Sequence, residues 1–175
     1  MAFLDLFRSR SQDTAQTGDT ATVRKIVQAL DEMDGERAQY VAAFAYLLSR
    51  VANADLTISA EETQEMEDIV RRFGELPEEQ AVLIVEIAKR QNRLFGGTED
   101  FKVAREFKRL ASREQREELL HCLFAVSAAD DDITGEEEGR IRQIADELGF
   151  SHREYAAVRS EYNDQRSVMK RLRGG

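Results

Sequence analysis

Residues 51–74 read VANADLTISAEETQEMEDIVRRFG, and residues 126–149 read VSAADDDITGEEEGRIRQIADELG. The two stretches align without a gap at an offset of 75 residues. Val51, Ala54, Asp55, Ile58, Glu61, Glu62, Ile69 and Gly74 match Val126, Ala129, Asp130, Ile133, Glu136, Glu137, Ile144 and Gly149. A repeat of this length predicts two copies of one helix–loop–helix unit related by a pseudo-two-fold axis. It also places an acidic loop in both copies.

The helical reading spreads outward from the repeat. In each copy a hydroxyl residue, Ser59 or Thr134, precedes a glutamate by three positions, Glu62 or Glu137. That spacing is a capping box, which starts a helix. Met66, Ile69, Val70 and Phe73 follow at helical spacing, as do Ile141, Ile144, Ala145 and Leu148. Gly74 and Gly149 mark the stops.

Upstream, Thr20 or Asp19 caps a helix to about Asp34 that carries Val23, Ile26, Val27 and Leu30, and Gly35 ends it. A second helix runs from about Glu36 to Asn53 with a stripe of Tyr40, Val41, Phe44, Leu47, Leu48 and Val51. Pro77 opens a fourth helix, with Glu78 and Glu79 at its positive end. Its apolar run AVLIVEIA reads as a buried helix rather than a strand. Thr98 to Ala111 makes a fifth, with Phe101, Val103, Ala104, Phe107 and Leu110. Ser112 with Gln115 starts a sixth, and Ser151 with Glu154 a last one through about Met169. The fold expected is therefore all-α, a seven- to eight-helix bundle with an internal pseudo-two-fold repeat. Residues 1–19 read as a short segment and polar linker, 20–169 as the helical domain and 170–175 as a basic tail. Phe3, Leu4, Leu6 and Phe7 offer a way to lie on a membrane or a partner; the plainer reading is a short element docked on its own domain.

Composition narrows the function classes. The chain has 175 residues, 42% hydrophobic and 34% charged, with one proline and no tryptophan. That suits one soluble helical domain. The net charge of −9 argues against nonspecific nucleic-acid binding and favours cations or basic protein partners. One cysteine excludes an internal disulfide and fits the reducing cytoplasm. No stretch nears the roughly 20 apolar residues of a membrane span, and the N-terminus lacks the pattern of a secretion signal. The stretch from Lys89 to Arg109 is basic, whereas six acids crowd between Asp130 and Glu138. Solvated helix faces are the usual meaning of such runs.

The acidic loops are the candidate site. Asp55 or Asp130 ends one helix, and Glu62 or Glu137 stands in the first turn of the next. Carboxylates at adjacent helix ends can converge into an all-oxygen set that suits calcium or magnesium. Asp55, Glu62, Asp130, Asp132 and Glu137 are the candidate ligands, with the second loop the denser. The pattern is not an EF-hand: Asp130, Asp132, Thr134 and Gly135 fit its opening, but Ile141 stands where its closing glutamate belongs. The competing reading is structural, since acids at a helix start favour the dipole and the glutamates have capping work. Ile58 and Ile133 are expected to plug the core beneath the loops. His121 reads as surface or rim, and Cys122, whose repeat partner is Leu47, as core. Two histidines and one cysteine make neither a typical zinc site nor a Ser–His–Asp arrangement, so no enzyme activity and no certain cofactor are expected.

Two copies of Ala-Asp-x-x-Ile-[Ser/Thr]-x-Glu-Glu in an acidic helical chain resemble the tellurite-resistance TerB-like family. That family includes the central domain of membrane-anchored DnaJ-like co-chaperones. Its motif is usually Ala-Asp-Gly-x-Ile-(x)3-Glu. Asp55 and Asp130 match the aspartate, Ile58 and Ile133 the isoleucine, and Glu62 and Glu137 the glutamate. Leu56 and Asp131 replace the glycine. The chain lacks the His-Pro-Asp signature of a J-domain. The resemblance, over about residues 20–165, implies a helical bundle with acidic metal-binding clusters. It further implies a non-enzymatic module in a stress or metal-resistance system, associated with membrane-linked protein partners. The alternative it leaves open is a divalent-cation binder or sensor.

Overall fold

A computed structural model describes residues 20–52, 58–90, 100–129 and 133–174, with side chains for 21–52, 58–90, 101–129 and 133–163. The described residues form eight helices and no strand. They are α1 (Thr20–Glu32), α2 (Gly35–Ser49), α3 (Ala60–Phe73), α4 (Glu78–Lys89), α5 (Asp100–Leu110), α6 (Arg113–Ser127), α7 (Gly135–Glu147) and α8 (His152–Gly174).

The repeat appears as two four-helix units, α1–α4 and α5–α8. Within each, the second and third helices pack on the fourth: α2 and α3 on α4, α6 and α7 on α8. Between units the packing is less even. α3 lies against α6, whereas α7 takes α6 and α5 as its main neighbours.

Helix α2 is the centre. The expected stripe is correct, but every residue from Ala38 to Ser49 is buried, the alanines between the large side chains included. A helix enclosed on all sides needs small residues wherever neighbours come close. Tyr40 and Phe44 of α2 meet Phe107 of α5, with ring centroids 5.2 and 6.2 Å apart. A second aromatic group joins Phe124 of α6 to Tyr155 and Tyr162 of α8 at 5.8 and 5.6 Å. Phe73 reaches the same Tyr162 from α3 at 6.2 Å.

The start of α4 explains its reading as a buried helix. Pro77 is its N-cap residue, and its carbonyl accepts from the Gln80 and Ala81 amides, each at 3.0 Å. Ala81, Leu83, Ile84, Val85, Ile87 and Ala88 are buried.

Several boundaries differ from expectation. Gly35 begins α2 instead of ending α1, because the Asp34 carbonyl already accepts from Ala38 at 2.9 Å. Phe101, expected in the core, is 55% exposed under the Arg105 guanidinium, 4.5 Å from the ring centroid. α8 continues past Met169 to Gly174. The N-terminal segment lies outside the described residues. Among the described residues no helix is long and apolar enough to cross a membrane.

Candidate functional site

Both motif helices begin on complete capping boxes. At α3, the Ser59 hydroxyl accepts from the Glu62 amide at 3.1 Å, and the Glu62 carboxylate accepts from the Ser59 amide at 2.9 Å. At α7, Thr134 and Glu137 repeat this at 3.1 and 3.0 Å. Each box satisfies two amides that a helix start would otherwise leave unpaired. Ile58 and Ile133 stand just before the caps, half-buried and packed against the core. Both residues remain partly in water.

Of the five candidate ligands, Glu62 and Glu137 are therefore capping groups with one oxygen engaged. Asp55, Asp130 and Asp132 lie outside the described residues. Among the described residues, no three His, Cys, Asp or Glu side chains gather as a metal would need.

Acidic groups surround the two helix starts. Glu61, Glu62 and Glu65 are exposed on α3, and Glu136 is exposed on α7 with Arg140 2.6 Å away. Glu138 instead turns to α8 and pairs with Arg159 at 2.7 Å. Three residues of the basic stretch pair within their own helices. Arg90 pairs with Glu86 at 2.5 Å, and Lys89 with the same carboxylate group at 3.7 Å. Arg109 pairs with Glu106 at 2.6 Å.

Cys122 is fully buried and burial pushes its thiol up, which leaves no reactive thiolate. His121 is more buried than a rim residue: its side chain is 15% exposed, with Nε2 3.6 Å from a Glu161 carboxylate oxygen. Burial lowers its pKa, and Glu161 and Glu117 pull the other way with less effect. Glu161 is mostly in water, where its charge is screened, so desolvation wins.

Two pairings have no signature in the sequence. Arg50, which caps the end of α2, meets Glu147 at the end of α7. The Glu118 carboxyl of α6 is pushed up to about 7 by burial first and by Glu75 of the α3–α4 corner second. The partners lie 97 residues apart in one case and 43 in the other. A surplus of acids was the only hint.

No curated protein and no solved structure matches the chain significantly. Residues 41–160, which run from the central helix α2 through both motif helices into α8, match the family model described as "Tellurite resistance protein TerB", and the chain belongs to that family.

Proposed function

We propose that this chain is a non-enzymatic module of a stress or tellurite-type metal-resistance system, working in the cytoplasm and docking on protein partners through its acidic helix starts. The observation that carries the reading is the pair of capped helices, α3 and α7, that present Glu61 and Glu136 to solvent at equivalent places, with Glu65 exposed one turn further along α3. Family membership supports the resistance context. Carboxylates on rigid helices repel nucleic acid and attract basic surfaces, and such charge acts mainly on encounter rate and specificity. The test is proximity labelling in cells with wild type and a Glu61→Gln/Glu65→Gln/Glu136→Gln variant, with circular dichroism to confirm that the variant folds. The expected result is a partner set enriched by wild type and depleted on the order of tenfold by the variant. An unchanged partner set overturns the reading.

A second reading, a divalent-cation sensor, is favoured by the donor set. Asp55, Asp130 and Asp132 precede two helix starts whose Glu62 and Glu137 carboxylates retain acceptor capacity, since each capping bond uses one of roughly four lone-pair positions. Oxygen-only donors suit calcium or magnesium better than copper or zinc.

A further inference from the structure

Helix α5 has two contrasting sides. Val103, Ala104 and Phe107 are buried, and Leu110 is half-buried. On the other side Phe101, Arg105 and Lys108 follow at spacings of four and three, which puts them in one row. Lys102 and Arg109 flank that row, and all five residues are exposed. Phe101 is, with Val82, one of two large apolar side chains exposed among the described residues. The Arg105 guanidinium lies over its ring. Aromatic residues and arginine are the types enriched where proteins meet, and a row of fixed cations selects an acidic partner.

The chain itself carries the complementary row. On α3, Glu61, Glu65 and Asp68 follow at the same spacings of four and three, and all three are exposed. Each row covers about 10 Å of helix. The repeat shows that the fold does not demand this acidity. The matching positions of α7 are Glu136, Arg140 and Gln143, and there Arg140 pairs with Glu136 at 2.6 Å. On α3, Asp68 accepts from Gln64 at 3.1 Å and lies 3.8 Å from Arg71, a pair more than half exposed on both sides. Water screens such a pair, so it competes weakly with a new partner. Ile69, one turn after Glu65, is half-buried and leaves apolar surface beside the acids. Within one molecule the rows have different neighbours: α3 packs mainly on α4 and α6, and α5 on α2 and α7.

We propose that the α5 row of one molecule docks on the α3 row of a second copy, with Arg105 and Lys108 against Glu65 and Asp68 and the Phe101 ring against Ile69. The contact is heterologous: each copy offers one row and accepts on the other, so copies add head to tail until a ring closes. The patch is small and mostly polar, which makes the association weak and salt-sensitive. The net charge of −9 on each copy opposes approach from a distance. At roughly 0.1 M salt the screening length is about 10 Å, so that repulsion is damped while charges in contact still attract.

The experiment is sedimentation velocity on the whole chain over a concentration series, at about 0.1 M and about 1 M salt, where screening reaches about 3 Å. Wild type is expected to associate with rising concentration at the lower salt and to stay monomeric at the higher. Arg105→Glu/Lys108→Glu and Glu65→Arg/Asp68→Arg should each remain monomeric alone. Their equimolar mixture should associate, because each then carries the complement of the other. Lys108 also approaches Gly149 at the end of α7, so Arg105→Glu alone is the second variant, with association weakened about tenfold or more. Circular dichroism checks that each variant folds. Arg105→Glu leaves Glu61, Glu65 and Glu136 in place, so its outcome is separate from the docking of basic partners. A monomer at every concentration, association unmoved by Arg105→Glu, or a mixture of folded variants that stays monomeric overturns the proposal. Flotation of a monomeric wild type with phosphatidylserine vesicles, lost in Arg105→Glu, assigns the α5 row to a lipid surface and also overturns it.

Discussion

Arg50 and Glu147 face each other at 2.5 Å across the two repeat units, their side chains 12% and 17% exposed. Each closes a helix. The arginine complements the negative end of α2, whereas Glu147 opposes the dipole of α7 and depends on Arg50 to offset it. Removing one partner strands a largely desolvated charge. Arg50→Ala is expected to cost about 2–3 kcal/mol and Glu147→Gln somewhat less. A double-mutant cycle by urea unfolding should show a coupling of about 1 kcal/mol or more. Additive losses would reduce the pair to a surface contact.

Ile58 and Ile133 stand just before the two capped motif helices, each half-buried against the core. Truncation to alanine leaves a gap that is partly filled by water, so the cost falls at or below the low end for core residues, about 1–2 kcal/mol each. Losses under about 0.5 kcal/mol in chemical unfolding would mean that neither residue anchors its loop.

The helix ends predict opposite outcomes for two glycines. Gly149 has φ 86, and a Cβ there would meet the Lys108 side chain at 2.9 Å. Gly149→Ala should destabilise by about 1 kcal/mol or more. Gly139 is an exposed residue inside α7, and a methyl group at its Cα would have nothing within 4 Å. Gly139→Ala should therefore stabilise by about 0.5–1 kcal/mol. Thermal unfolding of both variants checks the pair, and equal signs would contradict the assigned helix end.

His121 predicts a pH response opposite to that of Glu118. Its folded-state pKa is lowered, so the fold favours the neutral ring. The contribution is complete above the ordinary value of 6.5 and is lost as pH falls below it. His121→Gln should flatten that part of the stability profile. An unchanged acid limb between pH 7 and 5, measured by urea midpoints, would show that the ring charges freely in the folded state.

The cation reading has a direct check. At 100 times its dissociation constant, calcium or magnesium should stabilise the protein by about 2.7 kcal/mol. Asp130→Asn with Asp132→Asn should remove most of that gain, and Asp55→Asn less. A melting temperature that is the same in EDTA as in millimolar calcium, magnesium, manganese or zinc would leave the acidic loops as helix caps beside a partner-facing surface.

The sequence by itself determined the eight helices, their order, both motif caps and the doubled acidic motif. All of these are local: Ser59 with Glu62, Thr134 with Glu137, and apolar residues three or four apart act within one turn of helix. Asp55, Asp130 and Asp132 as ligands remain a reading of the sequence. Tertiary structure alone decided that α2 is enclosed on every side, that Phe101 stays in water, and that the left-handed position after α3 falls on Glu75 instead of Gly74. It alone brought Arg50 to Glu147. A charge carries no mark of its partner in the chain. Its pairing depends on which helix ends meet once the apolar faces have packed, and desolvation at that meeting point then sets what the charge does.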